Sequence, residues 1–236
     1  MKSLAFNKFS NLWWVMFQGF QLATIGIIAW ALWSDNWVKL NVSGVYGDLK
    51  WTGSLTKVHK GLRALQGSSY YEMFTAFCST TEKSQDVPDE ESTWCEMFAQ
   101  LWISELIYIV LGVITVCAIV IWIISLRSAL KTNKIKPVPA FWFAQVAWIS
   151  HEIAFISWMV LAKANFSGDC TSESDDDSPP KLCALTGPIL GLILAIILPI
   201  MALSYSLLIR YLPKPIEAEH VVQKESEGAL KETPIK

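Results

Sequence analysis

The segment LWISELIYIVLGVITVCAIVIWIISL, Leu101–Leu126, followed by RSALKTNKIKPVPA over residues 127–140, decides how this chain is read. The first part holds one charged residue, Glu105, and is long enough as a helix to cross the roughly 30 Å of bilayer hydrocarbon, which takes about 20 apolar residues. Only a helix or a closed barrel satisfies its own backbone hydrogen bonds in lipid. The second part carries Arg127, Lys131, Lys134 and Lys136 and no acid, the composition of a cytosolic connector. Together they predict one span and its direction, from outside to cytosol.

Three further runs of the same kind lie on either side, Leu12–Trp33, Phe141–Ala162 and Leu185–Ile209. A soluble helical bundle would need a polar face on each, and none shows one. The chain therefore divides into a cytosolic N-terminus at 1–11, a span at 12–33, a long extracellular loop at 34–100 and a span at 101–126. A basic cytosolic loop at 127–140, a span at 141–162, an acidic extracellular loop at 163–184, a span at 185–209 and a disordered cytosolic tail at 210–236 complete it. The first span reads as an uncleaved signal anchor. Composition agrees, with 53% hydrophobic and 17% charged residues. The chain has 12 tryptophans, several of them (Trp13, Trp14, Trp33, Trp102, Trp122, Trp142) near span ends, where an indole settles in the headgroup layer. No basic patch points to nucleic acid.

The two loops assigned outside hold four of the five cysteines, Cys78, Cys95, Cys170 and Cys183, with Cys117 inside a span. They also hold both N-glycosylation sequons, at Asn41 and Asn165. This placement predicts the plasma membrane or another membrane of the secretory pathway, where disulfides form. Four cysteines allow three pairings; one bridge within each loop is preferred, and the alternatives stay open. Zinc is disfavoured, since neither pair has metal-ligand spacing and His59 is the only histidine outside. In the long loop, Asn36–Val42, Tyr46–Thr56 and Tyr70–Cys78 are rich in aromatic and β-branched residues between glycine and serine punctuation. They predict three strands of a small antiparallel sheet. Thr80–Ser92 reads as a polar surface loop.

Polar side chains inside the spans are expected to face the bundle interior, because exposure to hydrocarbon is costly. Gln18 and Gln21 lie in the first span, and His151 and Glu152 near the centre of the third. Helical spacing places Phe141, Gln145, Trp148, Glu152, Phe155 and Met159 on one stripe, taken as the inward face of the third span. Gly19, Ala23 and Gly26 form a small-residue seam expected to let the first and third spans approach closely. Glu152 and His151 admit two roles, an interhelical clamp or a proton or cation relay.

No phosphate loop, zinc-protease motif, nucleophile elbow or dinucleotide fingerprint occurs, so neither catalysis nor a cofactor is expected. The order of a long first outer loop, a short basic inner loop and a shorter second outer loop resembles the claudin-like tetraspan superfamily, which includes the peripheral myelin protein 22 group and calcium-channel gamma subunits. The resemblance extends over nearly the whole chain. In that family the first loop carries an early tryptophan, then Gly-Leu-Trp, then two cysteines. Trp37 or Trp51 stands for the first and Cys78 with Cys95 for the last, while Gly61-Leu62 is followed by Arg63. The fold implied is an all-α membrane protein, a four-helix bundle with a small disulfide-tied extracellular antiparallel sheet. The implied function is adhesion, barrier formation or service as an accessory subunit of a channel or receptor. Partners would be other membrane proteins, further copies of itself through the extracellular cap, and membrane lipids. Two other readings are a channel or proton-coupled transporter using Glu152 and His151, and a structural subunit of a large membrane complex.

Overall fold

The computed structural model describes residues 2–44, 47–60, 66–81, 89–132, 137–166, 171–173 and 182–211. In chain order its elements are α1 (Lys2–Trp33), β1 (Val38–Gly44), β2 (Gly47–Gly53), β3 (Val58–Lys60), α2 (Tyr70–Thr81), α3 (Asp89–Thr132), α4 (Pro137–Ala162), β4 (Thr171–Glu173), β5 (Leu182–Ala184) and α5 (Thr186–Tyr211). Helices α1, α3, α4 and α5 are each long and apolar enough to cross a membrane. The tail from residue 212 onward lies outside the described residues.

Each long helix buries a stripe rather than a whole surface. On α1 the buried positions are Phe17, Gln21, Thr24, Ile28 and Ala31, at alternating steps of four and three residues. This face packs on α5 and α3. The seam of Gly19, Ala23 and Gly26 does not serve the role expected of it. All three are exposed, and a methyl group added at either glycine would meet nothing within 4 Å.

The expected inward face of α4 is corrected in the same way. Its buried positions are Ala140, Ala144, Ala147, Ser150, His151, Ala154, Phe155, Trp158 and Ala162, so of the expected stripe Phe155 is buried while Phe141, Gln145, Trp148, Glu152 and Met159 are only half-buried. Small side chains win that face because α3 lies against it, and close backbone approach favours alanine and serine over bulk. The Thr115 and Ser150 hydroxyls meet 2.8 Å apart across this contact, in a buried hydrogen bond.

At one end the bundle carries a five-stranded sheet in the order β3-β2-β1, with β4 and β5 sharing the other edge of β1. β5 runs antiparallel along Val38–Leu40, and β4 runs parallel along Asn41–Ser43. The sheet is thus mixed rather than purely antiparallel, and the segment between α4 and α5 supplies two of its strands. Alternation along β1 and β2 puts Val38, Leu40 and Trp51 into a core shared with Phe98, Leu101 and Tyr108 of α3.

The third predicted strand is a helix. Residues 70–78 lie in α2, which starts with a capping box: Ser69 N donates to Glu72 Oε2 at 2.8 Å, and Glu72 N donates to Ser69 Oγ at 3.2 Å. Tyr70 and Met73 follow at helical spacing and are buried. α2 runs on to Thr81 and α3 begins at Asp89, so only 82–88 of the expected surface loop remains unassigned, outside the described residues. Cys78 of α2 is bridged to Cys95 of α3. Cys183 is also disulfide-bonded, and Cys170, its expected partner, lies outside the described residues.

Candidate functional site at the sheet end of the bundle

The residue that joins sheet and bundle is Trp37, between α1 and β1. Its backbone N donates to Gly53 O at 2.8 Å and its carbonyl accepts from Leu185 N at 2.9 Å. Its indole Nε1 donates to Ala31 O at 2.7 Å, closing the last turn of α1. The ring meets Tyr108 of α3 edge-on at 4.8 Å and Trp158 of α4 at 5.2 Å. On the fourth side it lies on the backbone of Gly187 in α5, where an added Cβ would stand 2.5 Å from Nε1. One fully buried side chain therefore touches all four long helices.

Beneath Trp37 the axis of the bundle is filled. His151 is buried, stacks on Phe155 with ring centroids 6.5 Å apart and faces Tyr108 at 6.2 Å. Its Nε2 lies 3.1 Å from the carbonyl of Gly191 in α5, so Nε2 carries a hydrogen and donates it there. Gly191 is needed there, since a Cβ would come within 2.9 Å of the Phe155 ring. The neighbouring Glu152 points about 100° away round the helix and is half-buried. No hydrogen bond or ion pair joins it to another described residue. His151 and Glu152 are thus adjacent in sequence but not brought together as a pair.

Gln21 is the other buried polar group. It is 0% exposed, and neither amide atom has a hydrogen-bond partner among the described residues. It sits one turn above Phe17, which stacks with Tyr205 and meets Trp122 edge-on. Gln18 is half-buried.

Above Trp37, Tyr70 donates its hydroxyl to Ser54 O at 2.8 Å. Burial, and then the Glu105 carboxyl, push that phenol well above its ordinary pKa, so it stays a neutral donor. Gly53 makes room for it, because a Cβ at Gly53 would collide with the Tyr70 hydroxyl. Of the sequon residues, Asn41 lies within β1 with its side-chain oxygen buried, and Asn165 is exposed, its backbone bridged to Leu182 and Ala184. Among the described residues no cluster of His, Cys, Asp or Glu is placed to hold a metal ion.

Sequence reasoning offered Trp37 only as one of two tryptophans in a motif. Its seat depends on Gly187, which carries no side-chain signal, and on the partner helices being known. No protein-family model matches the chain, and no curated protein matches it in sequence.

Proposed function

We propose that this protein is embedded in a membrane of the secretory pathway or cell surface, with its sheet outside, and that it presents the sheet to another membrane protein as an adhesion molecule or accessory subunit. The long helices support embedding. Of the apolar windows that qualify as spans, 28% of the first and 39% of the other three is buried inside the protein. The remainder is an apolar surface far larger than a soluble monomer exposes, and lipid is the solvent that suits it. The two cysteine-bearing segments and both sequon residues share the sheet end, as one luminal or extracellular side requires.

The observation that carries the presenting role is the seat of Trp37. A sheet fixed at once to four helices is a rigid platform, and rigid platforms bind with little ordering cost. Its exposed side carries Lys39, Thr52 and Lys60 side by side across β1, β2 and β3. Chemical cross-linking on intact cells, followed by purification in mild detergent, tests the reading. The expected result is a partner recovered with wild type and lost with Lys39→Glu and Lys60→Glu, while folding and surface delivery are unchanged. Ion flux by the purified protein in liposomes that disappears in Glu152→Gln would overturn the reading in favour of transport.

A further inference from the structure

The surface that continues the lipid-facing stripe of α3 beyond the ends of the other helices is aromatic. On α3 that stripe is Ile103, Leu106, Val110 and Val113, all exposed. Trp102 lies one turn from Leu106 toward the sheet end, and a side chain on a helix leans toward the N-terminus, here toward the sheet. Tyr71 of α2 packs on Trp102 with ring centroids 5.0 Å apart, and Phe74 stacks on it at 5.8 Å with planes 18° apart. Tyr71 remains 50% exposed.

The depth of this group follows from Trp37. That side chain touches Ala31, Tyr108, Trp158 and Gly187, so these four share a level. From that level α1 ends two residues on at Trp33, α4 ends four residues on at Ala162, and α5 begins one residue on at Thr186. Trp102 precedes Tyr108 by six residues, about 9 Å along the helix. It therefore stands only a few ångströms past the ends of its neighbours. The headgroup layer occupies about 5–8 Å beyond the hydrocarbon on each side.

We propose that Tyr71, Phe74 and Trp102 form a membrane-contacting edge of the cap, seated in the phospholipid headgroup layer of the sheet-side leaflet. The inference rests on the membrane embedding proposed above. Tyrosine and tryptophan are the rings that layer selects, here with Phe74 stacked on Trp102, and the charged residue beside them fits this placement. The Glu72 carboxylate is held by the backbone N–H of Ser69 at the start of α2. The lipid is chosen over a protein partner because the edge is continuous with an apolar stripe that must already face lipid. The effect is to lay α2 against the bilayer and set the tilt of the sheet.

The test is spin-label accessibility in phosphatidylcholine nanodiscs, in a Cys117→Ala background that removes the free thiol. Labels are placed by Tyr71→Cys, by Phe74→Cys as an independent second reading, by Leu106→Cys as the hydrocarbon reference and by Lys60→Cys as the water reference. The expected result is an oxygen-to-nickel-chelate collision ratio at 71 and 74 several-fold above that at 60 and below that at 106. A ratio at 71 and 74 equal to that at 60 overturns the proposal. Low accessibility to both quenchers also overturns it, since that marks a surface covered by protein. A water-like reading at 106 overturns the embedding itself, and is distinguished from the first outcome by that site alone.

Discussion

At Trp37 all three hydrogen-bonding groups are satisfied and the ring is enclosed on four sides, so removing it empties a site that cannot easily collapse. Trp37→Ala is expected to cost about 3–5 kcal/mol, the usual range for a buried aromatic. Gly187→Ala attacks the same contact from the other side by driving a methyl into the indole. The two are expected to be non-additive, the alanine at 187 costing little once the ring is gone; thermal unfolding in detergent of the two single variants and the double variant measures this. Gln21 leads to the opposite expectation. Its amide is buried with no described partner, so Gln21→Leu should raise stability by about 1–3 kcal/mol, the penalty of an unmet polar group. A lower unfolding temperature for Gln21→Leu would mean that the amide holds something of its own. These positions were only half legible in the sequence. Gln21 was placed in the interior by its polarity alone, while the glycines that receive Trp37 and His151 have no chemistry to advertise.

Among the elements, α2 shows how a signal can be present and outweighed. Aromatic and threonine-rich residues 70–78 favour a strand, yet Ser69 and Glu72 stand at capping-box spacing and the apolar positions fall three apart. The local cap and packing against α3 decide for the helix. Ser69→Ala is expected to destabilise α2 by about 1 kcal/mol; amide exchange in the first turn of α2 should rise without change in the long helices. The Cys78–Cys95 bridge ties the same helix to α3. Replacing both cysteines with serine should leave the four long helices inserted while opening residues 66–95 to protease, checked by limited proteolysis with a tag on the tail. Protection equal to wild type would make the bridge redundant. The extent of α3 was not legible either. Hydropathy marks the part of a helix that suits lipid, and α3 continues to Asp89 as a 44-residue helix, about 66 Å, with α2 packed along it. The inward faces of α1 and α4 were misjudged for a related reason. A stripe of small residues is compatible with close packing, but the neighbouring helix decides which such stripe is used.

The molecule as a whole follows its hydropathy: four apolar runs became four helices, and the turn-rich segment between the first two became the start of a sheet. What escaped was the sheet's completion from the segment between α4 and α5, since three-residue strands such as 182–184 have too little pattern to be seen. That completion has a consequence for the order in which the protein is made. A ribosome delivers β1 well before β5, yet β1 has no complete sheet, and Trp37 no floor, until residues 182–187 have emerged and α5 has begun to insert. In the proposed topology the half-built cap waits with the edge of β1 unpaired and Trp37 without Gly187 against its ring, a natural substrate for lumenal chaperones. Nascent chains stalled after about 170 residues have been synthesised should bind such chaperones and lose residues 38–60 to protease, whereas full-length chains freed from the ribosome should release them. Closure of the cap would then be the event by which the cell recognises that the last helix has arrived.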